Sequence, residues 1–312
     1  MARVAVALGS GGARGYAHIG VINELVERGH EIVGVAGSSM GAVVGGAYAA
    51  GELAAYTDWV LGLSRRDLLR QLDPSLTAGG VIRAERVLAR MAEMVGGRRI
   101  EELPVRFTAV AVDLLASREV WLDEGPLDRA IRASIGIPGV ITPAIVNGRL
   151  LVDGGVLNPV PVAATASAHA DFVVAVSLQG QRSRQPAVTP TSETAERRPA
   201  AEWWDRFRTN ASEVLGSELA AALGRRFTSP RPGAAIEEDL EAASLPQVGM
   251  IEVLNLALDA SQAALTRHCL AAHPADVLIT VPKDACRTID FHRAAELIDL
   301  GRQLAHEALA PW

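Results

Sequence analysis

The sequence has little of what marks several large classes of protein. Its 312 residues include only two cysteines, Cys269 and Cys286, which argues against a disulfide framework and favours a reducing interior with two buried, inert thiols. The formal net charge is −6, which argues against nucleic acid as the main partner.

Long hydrophobic runs are also missing. No stretch reaches the roughly 18 consecutive apolar residues of a membrane span. The short apolar run "RVAVAL" at 3–8 is followed at once by glycine, and no signal-peptide cleavage site comes after it. We therefore do not interpret it as a signal peptide. We therefore expect a cytoplasmic protein without a transmembrane segment, which meets a membrane only at its periphery. Nothing in the sequence indicates an oligomeric state.

The first fifty residues alternate between strand and helix patterns. Residues 3–8 and 32–37 have the composition of buried strands, and residues 14–28 and 39–51 that of helices. This β-α-β-α order predicts a parallel sheet with right-handed crossovers. Further patterns predict a mostly helical stretch at 52–103, strands at 105–115, 118–125, 171–179 and 276–282, a short helix at 127–134, a hairpin at 144–155 turning at Asn147-Gly148, and a C-terminal amphipathic helix at 288–308.

The second predicted helix starts at "GSSMG", which has the G-x-S-x-G pattern of Gly37, Ser39 and Gly41. Between a strand and a helix, this pattern is a nucleophile elbow, a sharp turn that presents the serine oxygen. A simple tight turn is the alternative. The serine comes after only two strands, which is too early for the α/β-hydrolase order of elements.

A glycine-rich loop follows the first predicted strand. "GSGGARG" at 9–15 offers a row of backbone N–H groups at a helix start, where an anion is stabilised. Such donors suit the tetrahedral oxyanion of acyl transfer. Nucleotide binding is the alternative, but no Walker lysine follows, and Arg14 occupies the third glycine position of a dinucleotide fingerprint.

A base for the serine has to be found in another part of the chain. Asp153 ends a predicted strand, and Gly154 and Gly155 after it would allow a close approach to the serine oxygen. An acidic turn residue is the plainer interpretation of Asp153 taken alone. His18 lies inside the first predicted helix and is expected to be a packed helical histidine. The other histidines are expected to be solvated or capping residues: His30, His169, His268, His273, His292 and His306.

Together these pieces resemble the patatin-like phospholipases, and most of all their short bacterial single-domain members. "GSGGARG", "GSSMG" and "DGG" at 153–155 match that family's three motifs in order. "ASIGIPGVITP" at 133–143 and "NPVP" at 158–161 resemble its supporting segments. The resemblance covers about residues 3–180.

The resemblance implies a three-layer α/β/α sandwich with a mostly parallel sheet. It also implies a serine–aspartate dyad, with Ser39 as the nucleophile and Asp153 as the general base. Backbone N–H groups of Gly11, Gly12, Ala13 and Arg14 would form the oxyanion hole. The reaction would be hydrolysis of acyl esters of phospholipids or lysophospholipids, without metal or other cofactor. The Arg14 side chain would either stiffen the loop or attract a lipid phosphate.

One segment has no counterpart in the motifs. We predict a single domain over 1–312 with a polar, mobile insertion at about 181–247, rich in Pro, Ser and Thr near its start. Trp203, Trp204 and Phe207 within it would touch a membrane surface, or else pack on the core.

Three functions remain open on the sequence. A lipid acyl hydrolase is the first, and an acyltransferase that uses the same dyad is the second. A regulator that has kept only the fold is the third, but it predicts decay of the site, and Ser39, Asp153 and the loop glycines are all present.

Overall fold

The computed structural model describes residues 1–63, 85–138, 141–181 and 250–312. They belong to one compact unit, made of Met1–Ser183 and Val248–Trp312. The predicted insertion, with Trp203, Trp204 and Phe207, lies outside the described residues apart from Gln181. The single domain over 1–312 therefore stays a prediction.

A mixed, mostly parallel sheet forms the centre of the described part of the chain. Its eight strands there are β1 (Arg3–Leu8), β2 (Glu31–Ser38), β3 (Arg106–Asp113), β4 (Arg118–Leu122), β5 (Ala144–Val146), β6 (Arg149–Asp153), β7 (Phe172–Gly180) and β8 (Val277–Pro282). The order is β5-β6-β3-β2-β1-β7-β8, and β4 pairs with β3 beside this path. Strands β3, β2, β1, β7 and β8 run parallel to one another. Strands β4 and β6 pair antiparallel with β3, and β5 pairs antiparallel with β6.

Helices connect the strands much as the sequence predicts. In the described residues they are α1 (Ala17–Glu27), α2 (Met40–Ala49), α3 (Leu53–Leu61), α4 (Glu85–Val95), α5 (Leu127–Ser134), α6 (Met250–Ala272) and α7 (Ala294–Ala308), with 3-10 helices at Gly12–Tyr16, Ile100–Glu102, Gly154–Val156 and Val162–Ala168. Residues 64–84 of the predicted helical stretch lie outside the described part.

Some details differ from the sequence-based expectations. The predicted helix at 14–28 begins as a 3-10 turn, Gly12–Tyr16, before α1. The last helix starts at Ala294 rather than 288, because the Asp290 carboxylate accepts the Arg287 N–H and closes a turn first. Cys286 is buried, but Cys269 is only partly so.

Both faces of the sheet are covered, because neighbouring strand residues point to opposite sides. On one face, Val4, Val6 and Leu8 of β1 pack in the main core together with residues of α1, α2 and α7. On the other face, Ala7 packs with Val160 and Val162, where the 3-10 helix Val162–Ala168 begins. The predicted three-layer α/β/α sandwich is therefore confirmed.

Two further features bear on the sequence-based expectations. Asn147 and Gly148, where the sequence predicts the hairpin to turn, have φ values of 50° and 73° between β5 and β6, and two positive φ values are what a type I′ turn requires. Within the four described ranges, no helix is long and apolar enough to cross a membrane.

Candidate active site

Ser39 stands at the junction of β2 and α2 with an unusual backbone conformation. Its φ is 56° and its ψ is −121°, and its side chain is almost fully buried. A non-glycine residue in such a region costs about 1–3 kcal/mol and persists only where its surroundings hold it. A strained serine between a strand and a helix has the geometry of a nucleophile elbow.

Glycines at the elbow allow backbone segments to touch. A Cβ built on Gly37 would lie 2.3 Å from the carbonyl carbon of Gly41, and one on Gly41 would lie 2.0 Å from the Leu8 carbonyl oxygen. Any larger residue would push α2 away from β1. The pattern G-x-S-x-G is therefore required here by packing.

Asp153 is the last residue of β6, and its side chain meets the elbow. The Ser39 hydroxyl lies beside the Asp153 carboxylate and acts on its pKa as a hydrogen-bond donor would, and Oδ1 of that carboxylate accepts the Gly155 N–H at 2.7 Å. A Cβ on Gly154 would lie 2.2 Å from the Val110 carbonyl oxygen, and one on Gly155 would lie 2.3 Å from Ser10 Oγ. The two glycines thus permit the close approach that the sequence suggests.

The environment of Asp153 changes its acidity. Burial raises the pKa of its carboxyl to about 6, and the hydrogen bonds from Ser39 and the Gly155 N–H act in the opposite direction. Such a carboxyl is a stronger base than an ordinary aspartate and is still mostly ionised at neutral pH.

The glycine-rich loop after β1 is held at several backbone positions. The N–H of Gly9 donates to the Val176 carbonyl and that of Ser10 to the Pro159 carbonyl, both at 2.9 Å. The N–H of Ala13 donates to the Thr288 carbonyl, also at 2.9 Å. Ala13 therefore differs from expectation, because its N–H already has a partner and does not point to a free oxyanion position.

Gly11 and Gly12 remain at the start of the 3-10 helix. Gly11 caps Gly12–Tyr16, and the first N–H groups of a helix have no partner inside it. Gly12 has a φ of +58°, and a Cβ on it would meet Thr288 at 2.4 Å, while one on Gly11 would meet Leu178 at 2.6 Å. Both positions therefore require glycine.

Arg14 lies inside this helix with its side chain 3% exposed. Its Nε donates to the Gly11 carbonyl at 3.2 Å, so the contact found is the one that stiffens the loop. Burial lowers the pKa of the guanidinium, and the charge of Asp259 acts against this shift.

His18 is a packed helical histidine, as the sequence predicts. It is fully buried, and its Nε2 lies 2.8 Å from the Gly9 carbonyl oxygen. Burial lowers the pKa of the ring to about 4, so it is neutral at physiological pH. A neutral ring that donates from Nε2 to Gly9 supports the loop.

Two buried residues next to the elbow, Ser134 and Asn158, have no role in the sequence-based account. Ser134 Oγ accepts the Ser39 N–H at 2.9 Å. The backbone carbonyl of Asn158 accepts a hydrogen bond from the Ser38 hydroxyl at 2.8 Å. The backbone N–H of Asn158 donates to the Gly154 carbonyl, also at 2.8 Å. Ser134 lies in the supporting segment 133–143 and Asn158 in the supporting segment 158–161. The resemblance of these segments to the family is therefore the feature of the sequence that points to both residues.

A comparison with protein-family models matches residues 6–166 to the patatin-like phospholipase model. That range contains the loop, the elbow, Asp153 and both supporting segments.

Relatives extend the similarity over nearly the whole chain. An uncharacterized NTE family protein of Mycobacterium tuberculosis is 48% identical, with 98% of this chain and 91% of the relative covered. A second such protein of that species is 31% identical over 86% of this chain and 46% of its own length. Human patatin-like phospholipase domain-containing protein 6 is 25% identical, over 99% of this chain but 20% of the human protein. The chain therefore belongs to the patatin-like phospholipase family, a family of lipid acyl hydrolases.

Proposed function

We propose that the protein hydrolyses acyl esters of phospholipids or lysophospholipids through a Ser39–Asp153 dyad, without a histidine and without a metal. The observation that carries this proposal is the placement of Ser39, at its strained turn, beside the buried Asp153 carboxyl, whose pKa burial raises to about 6. A base in direct contact with the nucleophile is what acyl transfer to serine requires.

The first half of the reaction forms an acyl-enzyme. Asp153 takes the Ser39 proton while the serine oxygen attacks the ester carbonyl, which gives a tetrahedral oxyanion. When this intermediate collapses, the carbon–oxygen bond to the alcohol part breaks. Asp153 returns the proton to that oxygen, so the alcohol leaves neutral and the base is regenerated.

The second half of the reaction repeats these steps with water. Asp153 removes a proton from a water molecule as it attacks the acyl carbonyl, and then protonates Ser39 as the fatty acid leaves. The same carboxyl serves both halves because it is back in its ionised form after each.

The oxyanion would be stabilised by backbone N–H groups of the glycine-rich loop. Gly11 and Gly12 are the proposed donors, since the Ala13 N–H is bound to Thr288 and Arg14 lies within the helix. Removal of one such donor typically costs roughly 10²–10³ in rate. The Arg14 side chain supports this geometry through its bond to the Gly11 carbonyl.

Wild type and Ser39→Ala compared side by side test the proposal. The substrates are a short-chain nitrophenyl ester and a lysophospholipid, and folding of both proteins is checked by circular dichroism. Turnover by wild type alone supports the dyad, and equal turnover by both proteins contradicts it. Adding an alcohol acceptor distinguishes the acyltransferase, which would form a new ester in preference to free fatty acid.

A further inference from the structure

Ser134 makes a pair of hydrogen bonds with a fixed direction. It is fully buried at the end of α5, and its hydroxyl donates to the Val110 carbonyl at 2.6 Å. A hydroxyl has one proton to donate. The second contact, 2.9 Å from the Ser39 N–H, can therefore only be one in which Ser134 Oγ accepts.

The Ser39 N–H that Ser134 Oγ accepts belongs to the strained residue of the elbow. The Ser39 backbone stays at φ 56° only if its surroundings hold it there. Gly37 and Gly41 allow the turn to close but provide no side chain that could bind the Ser39 N–H. Ser134 provides that bond from a neighbouring helix.

Val110 links this bond to the other half of the dyad. Its carbonyl oxygen would lie only 2.2 Å from a Cβ on Gly154, and the next residue of β3, Ala111, pairs with Asp153 of β6. One hydroxyl thus connects the turn that presents Ser39 to the strand beside Asp153.

We propose that Ser134 is a positioning residue for the reaction, which holds the Ser39 peptide in the conformation that directs its hydroxyl at Asp153. This inference rests on the proposed function of the dyad. Without the Ser134 hydroxyl, the Ser39 N–H and the Val110 carbonyl lose their buried partner, and the Ser39 backbone relaxes toward a negative φ. The serine oxygen then turns away from the base.

Ser134→Ala tests this role against Ser134→Thr, which keeps the hydroxyl. A misplacement of the nucleophile by about 1 Å costs roughly 10²-fold in rate, so we expect kcat to fall by about 10–100-fold with little change in KM. Thr165→Ala is the matched control, because Thr165 is a buried residue whose hydroxyl donates to the Val162 carbonyl at 2.7 Å, on the 3-10 helix Val162–Ala168.

The pH profile separates positioning from a loss of stability. The hydrogen bond from Ser39 lowers the pKa of Asp153, and burial and the Gly155 N–H are the other causes of its shift. Losing the Ser39 bond therefore moves the acid limb of kcat/KM in Ser134→Ala to higher pH. Destabilisation alone, as in Thr165→Ala, leaves that limb in place.

A reduced kcat with a shifted acid limb in Ser134→Ala, and values nearer wild type in Ser134→Thr, support the role. Folded Ser134→Ala with wild-type kcat and acid limb overturns it. If Ser134→Ala does not fold, Ser134→Cys takes its place, because its thiol is only a weak donor and acceptor. Intermediate values then support the role, and wild-type values overturn it.

The rate of labelling of Ser39 by a fluorophosphonate keeps this test separate from that of the proposed function. Labelling needs a positioned, activated serine but no lipid turnover. If wild type is labelled at Ser39 and hydrolyses none of the esters, the substrate proposal fails, and slower labelling of Ser134→Ala still supports the positioning role. If wild type is not labelled, both proposals fail.

Discussion

The backbone N–H of Ala13 donates to the Thr288 carbonyl at 2.9 Å, which fastens the glycine-rich loop to the segment before α7. Gly12 lies in the same contact, since a Cβ on it would be 2.4 Å from Thr288 Cγ2 and 2.5 Å from the Thr288 carbonyl oxygen. The loop proposed to stabilise the oxyanion is therefore held from outside by a segment near the other end of the chain.

Gly12→Ala should displace this loop. The added methyl cannot fit against Thr288, so we expect kcat to fall by about 10²-fold, with a smaller change in KM, as for loss of an oxyanion donor. Steady-state kinetics on a nitrophenyl ester measure both constants.

Gly51→Ala is the control for Gly12→Ala, because Gly51 also has a positive φ, +75°, but nothing lies within 4 Å of its Cβ position. Equal turnover of the two variants would contradict the account of the loop.

Asp153→Asn should abolish turnover while the fold remains. The amide oxygen can still accept the Gly155 N–H, but an amide does not take the Ser39 proton. We expect a loss of at least about 10³-fold in kcat. Asp113→Asn is the matched control, since Asp113 is also a buried carboxylate that accepts a backbone N–H, from Ala116 at 3.1 Å. Near-normal turnover of Asp153→Asn would contradict the dyad.

The same Asp153→Asn variant should be more stable than wild type at pH 8. The pKa of Asp153 is raised to about 6 in the folded protein, above its value of about 3.9 in the unfolded chain, so the fold favours the neutral carboxyl. Ionising it lowers stability as pH rises from about 4 through 6, by on the order of 3 kcal/mol. Thermal unfolding should show the two proteins converging near pH 4. A variant less stable than wild type at every pH would contradict this.

Activity should fall as pH drops through about 6. The proposed base must be ionised to accept the proton, so kcat/KM should show an acid limb near the pKa of Asp153. His18 has a pKa of about 4 and binds the Gly9 carbonyl, so His18→Gln, which can still donate there, should keep this limb. If His18→Gln lost the acid limb, the limb would report the titration of His18, and its assignment to Asp153 would be wrong.

Gly301→Ala should destabilise the fold through the contact of α1 with α7. A Cβ on Gly301 would lie 2.0 Å from the Ala17 carbonyl oxygen, and overpacking of this kind costs typically about 1–3 kcal/mol or more. Gly62→Ala is the comparison, because the nearest atoms to its Cβ position lie at 3.5 Å, an ordinary contact. Thermal unfolding measures both, and equal melting temperatures would contradict the close helix packing.

The sequence predicts those features whose causes are local. Gly37, Gly41, Gly154 and Gly155 were each expected from their place beside a strand or a reactive side chain, and the structure has a close backbone or side-chain contact at every one. The type I′ turn at Asn147-Gly148 follows from two residues that tolerate positive φ.

Features that depend on distant partners were missed. Nothing near Ala13 in the sequence indicates that its N–H binds the Thr288 carbonyl. The sequence places Ser134 in the supporting segment 133–143 but does not indicate its contact with Ser39, because the two residues are 95 positions apart in the chain. The predicted start of α7 at 288 is too early, because the Asp290 carboxylate accepts the Arg287 N–H and closes a turn before the helix begins at Ala294.

Covalent labelling of the nucleophile tests the central claim most directly. Wild type and Asp153→Asn are treated with a fluorophosphonate, and the modified residue is located by peptide mass spectrometry. The account predicts a single label on Ser39 in wild type and much slower labelling of the folded Asp153→Asn variant. A label on another residue, or equal labelling rates in the two proteins, would contradict the dyad.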